Sequence, residues 1–348
     1  MLLVDDIEGS MFTRFVHEQL HEAAVRFAET PLLGNSAAWL RSLPGRRASI
    51  QYSQDRRENV LTSPAPENAL PDIAVMFNPD IVIALNIEQA TWRTIQETCQ
   101  ELHIPTGLYL RDQGGLDHLK SLAGQPVVDD NVLLANSRTL VRAAKTLGKT
   151  AHLVPPVIDF AAARVESTRE RILLIDPREQ HGLKVIDELA PHFRTMEFVL
   201  QESCRLSVQE RGVVDSLLSE HPNVTFRATT ELRADIFSDA AVLLEPHRID
   251  CCPDAILEAM SNGIPVIASD LPGLVESVGP GGIIVSHESE WFEALYRLLQ
   301  CPSTNSRYQR VARGHAYRQE IRPIHIAETF LMHVSSAVAR RRNRPILF

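Results

Sequence analysis

The sequence predicts an α/β protein with two Rossmann-like β/α/β domains in tandem, and three observations carry that prediction. The chain has 348 residues, too long for one ordinary core and a natural length for two domains of roughly 150 residues each. Apolar runs of strand length alternate with amphipathic stretches of helix length along most of it, the pattern of βαβ crossovers in a parallel sheet. A stiff break, Val154-Pro155-Pro156-Val157-Ile158-Asp159, lies near the middle. Two consecutive prolines continue neither a helix nor a central strand.

Each element follows from its own residues. Met1–Val4 reads as a short first strand, and Met11–Ala28 carries helical periodicity. Residues Leu32–Pro71 are rich in Pro, Arg, Ser and Asn without a sustained period, so they read as a surface excursion. Strands are expected at Val75–Phe77, Ile81–Leu85, Thr106–Leu110, Asn131–Ala135 and Ala151–Val154, with helices at Gln89–Leu102 and Ser137–Leu147. After the prolines, Ala161–Glu170 is polar and helix-prone. A second series of strands then runs through Arg171–Ile175, Glu197–Leu200, Val224–Arg227, Ala241–Leu244, Pro265–Ala268 and Ile283–Val285. Its helices are expected at Leu183–Leu189, Val208–Ser219, Asp254–Ser261 and Glu288–Leu299, and Ile324–Arg340 is the terminal helix. The expected domains are residues 1–155 and 156–323, with 324–348 as a helix and basic tail.

Composition narrows the function. A hydrophobic fraction of 44% and a charged fraction of 23% are those of a globular protein. A net charge of −9 argues against a general nucleic-acid binder. The basic run Arg340-Arg-Arg-Asn-Arg344 is read as a solvated tail, allowing at most a peripheral membrane contact. No apolar stretch nears the roughly 18 residues of a membrane span, and Asp5 and Asp6 interrupt the first apolar run, unlike a secretory signal. The five cysteines, Cys99, Cys204, Cys251, Cys252 and Cys301, lack metal-ligand spacing. In a chain read as cytoplasmic, the adjacent pair is expected to be small buried thiols.

The most informative segment runs from Asp250 to Asp270. Asp250 and Glu258 lie on either side of a turn where a helix begins, with Pro253 suited to its first position and Gly263 to its end. Two carboxylates beside a helix N-terminus would suit an anionic ligand that also carries hydroxyls, such as a nucleotide sugar. The strand Ala241–Leu244 delivers this loop from its carboxyl end, where open α/β sheets bind ligands. Further on, Gly273 in Leu271-Pro-Gly273-Leu-Val-Glu276 reads as a point of close backbone approach.

In order and spacing, Asp250, Glu258-Ala-Met260, Gly263-Ile-Pro-Val266, Ser269-Asp270 and Gly273-Leu-Val-Glu276 resemble the donor-binding half of family 4 glycosyltransferases. A weaker likeness extends to Asn136-Ser137 and Val154-Pro-Pro156, so that most of residues 131–300 is covered. The resemblance implies the GT-B fold, two Rossmann-like domains facing each other across a cleft, and retaining transfer from a nucleotide diphosphate sugar. The acceptor could be a glycan, a lipid-linked molecule or a small molecule. It further implies that Glu258 accepts bonds from ribose hydroxyls and that Asp250 faces the donor sugar. Cys252, Asp254 and Ala255 would offer backbone N–H groups, and Gly273 and Glu276 would shape the base-and-ribose end. No metal or other cofactor is expected, since a helix dipole and basic side chains neutralise the diphosphate in this family.

Two departures stand out. Where the family carries an Arg and then a Lys before Gly, this chain has Asp176-Pro-Arg178-Glu-Gln-His181-Gly182, with Lys184 close behind. His181 takes the Lys position, and the Arg position is either Asp176 or displaced to Arg178, leaving Arg178, His181 and Lys184 to meet the leaving-group charge. The family's glycine-rich first loop is reduced to Asp6-Ile-Glu8-Gly9-Ser10, and Arg111-Asp112 stands where a His is usual. These losses favour the alternative, a non-catalytic protein of the same fold that binds a nucleotide or a partner.

Overall fold

The computed structural model describes residues 2–5, 51–55, 58–62, 79–85, 89–111, 117, 119–120, 132–230, 232–318 and 322–342. The helix expected at Met11–Ala28, the strand at Val75–Phe77, the loop Asp6–Ser10, Asp112 and Arg344 lie outside them. The chain divides into two compact units. The first is Met1–Asn136 with Leu140–Val157 and Ile324–Phe348, and the second is Ser137–Thr139 with Ile158–Pro323.

The first unit is built on five parallel strands: β1 (Leu2–Asp5), β4 (Val82–Leu85), β5 (Thr106–Leu110), β6 (Val132–Ala135) and β7 (Ala151–Leu153), in that spatial order. Between β1 and β4 in sequence, β2 (Gln51–Asp55) and β3 (Glu58–Thr62) pair as an antiparallel ribbon. That ribbon falls inside the stretch read as an irregular excursion. Its sequences, QYSQD and ENVLT, are too polar to alternate visibly. One face of the larger sheet buries Val82, Ala84, Leu108, Leu110 and Ala135 against Trp92, Ile95 and Cys99 of helix Gln89–Glu101 and Leu140 and Ala144 of helix Arg138–Thr146. The terminal helix Pro323–Arg342 buries Ile326, Phe330, Val334 and Ala337, one face at helical spacing. In the same unit His333 of this helix stacks on His152 of β7, with ring centres 3.9 Å apart.

The second unit is a doubly wound parallel sheet. Its strands are β8 (Arg171–Ile175), β9 (Glu197–Gln201), β10 (Val224–Arg227), β11 (Ala240–Glu245), β12 (Val266–Ser269) and β13 (Gly282–Val285). In space they run β10-β9-β8-β11-β12-β13, all parallel. Counted within the unit, that is the Rossmann order 3-2-1-4-5-6, in which chain direction across the sheet reverses between β8 and β11. Alternation sorts its apolar residues onto two faces. Ile172, Leu174, Phe198, Leu200, Val242 and Leu244 pack with helices Leu183–Leu189, Val208–Glu220 and Glu290–Gln300. Leu173, Ile175, Val199, Leu243, Val266 and Ala268 pack with helices Arg233–Phe237, Asp254–Ser261, Pro272–Val278 and Pro302–Ala316. Strands buried on both faces read as continuous apolar runs, which is why β8, β9 and β11 were visible in the sequence.

Two expectations are corrected here. Ala161–Glu170 is turn and extended chain, not helix. Asn262 fixes it from a distance, its Oδ1 accepting from Val165 N–H at 2.9 Å and its Nδ2 donating to Ala163 O at 2.8 Å. Pro253 is the N-cap rather than the first helical residue, with extended backbone at φ −65°, ψ 131°. The helix Asp254–Ser261 ends as Gly263 suggested. Gly263 stands at φ 68° and donates to Met260 O at 2.9 Å, while Ile264 N–H reaches Ala259 O at 3.0 Å. These are the paired bonds of a Schellman motif.

Candidate functional site at the switch of the second sheet

The switch point brings together two loops that are about seventy residues apart in sequence: Asp176–Gly182 after β8 and the loop beyond Glu245 after β11. They touch closely. Gly182, at φ 77°, lies where a Cβ would stand 2.0 Å from Pro246 O, so no side chain fits. Arg248 N–H donates to Gln180 O at 2.9 Å.

The β8 loop is a nest of ion pairs. Asp176 sits in the left-handed region at φ 56°, which closes a tight turn. His181 Nδ1 is 3.1 Å from Asp176 Oδ2 and 3.0 Å from Asp176 O. Arg178 Nη1 donates to Asp176 Oδ2 at 3.1 Å, and its Nε is 3.1 Å from Glu210 Oε1. Burial works against both charges, lowering the His181 pKa and raising that of Asp176. Their mutual bond outweighs it, so His181 is shifted up and Asp176, also helped by Arg178, is shifted down. Lys184 points to solvent and pairs with Glu188 at 3.2 Å, one helical turn on. Among the three cations expected to meet a diphosphate, Arg178 and His181 lie at the switch point but are already answered by carboxylates, and Lys184 is directed elsewhere.

The β11 loop handles charge differently. Asp250 Oδ1 accepts from Gly273 N–H at 2.7 Å, joining two members of the sequence pattern. A Cβ on Gly273 would stand 2.5 Å from Cys251 O and 2.8 Å from Asp250 Oδ1, the close approach that its neighbours suggested. Burial raises the Asp250 pKa, partly opposed by the N–H groups of Gly273 and Cys251. Cys252 donates its thiol to Gly273 O at 3.6 Å, and burial pushes that thiol up to about 11. Neither Cys251 nor Cys252 is fully buried, contrary to the expectation for the pair, because both lie in the irregular loop before the helix. Asp254 opens the helix and complements its dipole, and Ala255 is buried behind it. Glu276 accepts from the N–H groups of Arg138 and Thr139 at 2.8 and 3.0 Å, within the stretch Ser137–Thr139 that groups with this unit.

Glu258 is 5% exposed. Both of its oxygens accept from Arg233, at the start of helix Arg233–Phe237 beyond β10: Nε reaches Oε1 at 3.0 Å and Nη2 reaches Oε2. Burial nevertheless leaves the Glu258 pKa raised, with the guanidinium pulling part of the shift back. Sequence reasoning missed Arg233, since nothing in ELRADIF marks it as a partner of a residue twenty-five positions on. It also missed Glu245, the last residue of β11, and His247 just beyond it. Glu245 is 2% exposed, its Oε2 lies 2.8 Å from His247 Nε2, and the His247 ring stacks on His181 at 4.3 Å with planes 11° apart.

Among the described residues, one group has metal-ligand geometry: Asp187, Glu220 and His221, on helix Leu183–Leu189 and at the end of helix Val208–Glu220. Its His221 Nε2–Asp187 Oδ1 bond of 2.7 Å is accounted for as an imidazole held at a helix C-terminus. No described helix is long and apolar enough to cross a membrane.

Residues 194–301 match the model of a family described as glycosyl transferases, group 1. This part of the chain is similar to the group 1 glycosyltransferases. No curated protein sequence matches the chain. Among solved structures, a glycosyltransferase from Rickettsia africae is similar with TM-score 0.69 and 11% identity over 97% of each chain. Sucrose-phosphate synthase from Thermosynechococcus elongatus is similar with TM-score 0.68 and 15% identity over 83% of each chain. HepE of Anabaena in complex with UDP-glucose gives TM-score 0.67 and 15% identity, covering 78% of this chain and 82% of its own. At such identities the likeness shows the fold, which is GT-B, with a parallel α/β sheet in each unit.

Proposed function

We propose that the protein is a retaining glycosyltransferase that moves a sugar from a nucleotide diphosphate sugar to an acceptor hydroxyl. The observation that carries this reading is the joined pair Asp250–Gly273 beside the start of helix Asp254–Ser261. Asp250 keeps acceptor lone pairs for sugar hydroxyls while Gly273 fixes its Oδ1, and the backbone N–H groups of Cys252, Asp254 and Ala255 suit a diphosphate. Glu258 is the ribose acceptor, and a ribose would take the place of Arg233 on at least one of its oxygens. That HepE was solved with UDP-glucose supports a uridine donor. The leaving diphosphate is met by the helix start together with His181 and Arg178, with no metal.

One observation favours a second reading, binding without turnover. Arg178 and His181 are both tied to Asp176, and Lys184 to Glu188, so leaving-group stabilisation requires these pairs to open. A panel of nucleotide sugars scored by thermal shift and by nucleotide release separates the two. Under the transferase reading one donor raises the melting temperature by mass action and is slowly hydrolysed or transferred. Stabilisation without release selects the binding reading. If no nucleotide stabilises the wild type, both fail; if one stabilises Glu258→Ala equally well, relative to that variant's own ligand-free melting temperature, the site is misplaced.

A further inference from the structure

Behind the donor loop lies a second chemistry that the sugar-transfer reading does not use. Cys251 Sγ is 2.9 Å from His247 Nδ1. The other ring nitrogen, Nε2, is 2.8 Å from Glu245 Oε2. Glu245 is 2% exposed, and its second oxygen, Oε1, makes no hydrogen bond. A carboxylate buried in this way fixes the tautomer of the imidazole it touches: Nε2 carries the proton toward Glu245, and Nδ1 presents its lone pair to the thiol. The His181 ring lies flat on His247 and is itself bonded to Asp176, which keeps the imidazole from turning away. Nucleophile, base and orienting carboxylate thus stand in line at hydrogen-bond distances, the geometry that activates a cysteine. Cys251 is partly exposed, so small reagents reach it.

We propose that Cys251 is an activated thiol and a site of oxidation by hydroperoxides. The thiol proton passes to His247 Nδ1, and the sulfur attacks the outer oxygen of the hydroperoxide. The S–O bond forms as the O–O bond breaks. The leaving oxygen takes the proton from Nδ1 and departs as water or an alcohol. Sulfur loses two electrons to the peroxide, and Cys251 becomes a sulfenic acid that a thiol reductant restores. Cys252 does not share this role: its thiol bonds a carbonyl and burial pushes it up to about 11. The inference stands apart from the sugar-transfer reading, since it needs no bound nucleotide.

The test uses the full-length protein under native conditions, with each cysteine quantified by peptide mass spectrometry. Cys204 and Cys301 are exposed and serve as internal references. Iodoacetamide at pH 7 is expected to label Cys251 at least about ten-fold faster than either reference, and hydrogen peroxide to oxidise it first. His247→Asn is expected to bring the Cys251 rate down to that of the references, and Glu245→Gln to lower it several-fold. The wild-type rate of Cys251 is expected to level off as pH falls toward 6, whereas an unassisted thiol keeps slowing about ten-fold per pH unit below about 8.5. That profile is shaped by His247 together with the groups facing it, Glu245 and His181, and by Asp250 next in the chain. A Cys251 that labels more slowly than both references overturns the proposal. So does an unchanged rate in a His247→Asn variant that melts like wild type. If that variant does not fold, a wild-type profile that falls like those of Cys204 and Cys301 overturns it instead.

Discussion

The loops that follow β8 and β11 leave the second sheet side by side, but they hold their charges by different means. After β8, Arg178 and His181 are matched against Asp176, and Arg178 also against Glu210. After β11, Asp250 is held by the backbone N–H groups of Gly273 and Cys251, and among the described residues no cation is bonded to it. A carboxylate held by amides still has lone pairs to offer, so it can accept a ligand hydroxyl without losing a partner. A cation held by a carboxylate has to give up that bond before it can meet a phosphate. In the proposed function, the sugar end of the site is therefore preformed, and the phosphate end assembles only when its pairs open.

The comparison can be broken most severely where the two loops touch. Gly182→Ala combines a left-handed backbone with a Cβ placed 2.0 Å from Pro246 O. It is expected to cost about 3 kcal/mol in urea denaturation. A variant as stable as wild type would mean that the loops are not locked together. Glu258→Ala comes next. It leaves the Arg233 guanidinium without its carboxylate; because Arg233 is about one-third exposed, the cost is set at about 2 kcal/mol, below that of a fully buried pair. Glu258→Gln, which keeps the shape, is expected to lose less.

A smaller effect sharpens the β8 side. The His181 pKa is raised above its ordinary 6.5 and that of Asp176 is lowered below 3.8. The stabilisation from His181 is fully present below 6.5 and fades as pH rises through its raised value. That from Asp176 is fully present above 3.8 and fades as pH falls through its lowered value. The pair therefore contributes in full between these limits, by about 1 kcal/mol after allowance for solvent screening. The stability gap between wild type and His181→Gln should be largest near pH 5–6 and shrink by pH 9. A gap that stays constant over this range would show that the pair is not ionic. The smallest effect is Ser207→Ala. Ser207 and Glu210 form a capping box, with Glu210 N–H to Ser207 Oγ at 3.2 Å and Ser207 N–H to Glu210 Oε2 at 2.7 Å. Its loss is expected to cost about 1 kcal/mol by thermal melt, and to loosen Arg178 by freeing Glu210.

How far the sequence could be read depended on the kind of signal. Arg171–Ile175 was bounded correctly because it is a continuous apolar run buried on both faces, and Leu183–Leu189 because it buries apolar residues at helical spacing. Helix Pro302–Ala316 went unread because its buried residues are small, Ala312 and Ala316, and leave no apolar stripe to find. The ribbon of β2 and β3 was hidden by polar sequence for the same reason. In the site, Asp250, Glu258 and Gly273 were legible as members of one ordered local pattern. Arg233 was not, because a side-chain partner across loops leaves no mark on spacing.

The sequence by itself determined the alternation of strands and helices, the break at Pro155-Pro156 and the segment that offers carboxylates beside a helix start. Those features rest on periodicity and on local backbone chemistry, which act over a few neighbouring residues. Only the tertiary structure decided that β8 and β11 are neighbours. With that pairing came the stack of His181 on His247, the pairing of Arg233 with Glu258, and the line from Cys251 through His247 to Glu245. The physical reason is that strand order is set by how apolar faces are buried together, and the ends of the strands then bring remote polar residues within bonding distance.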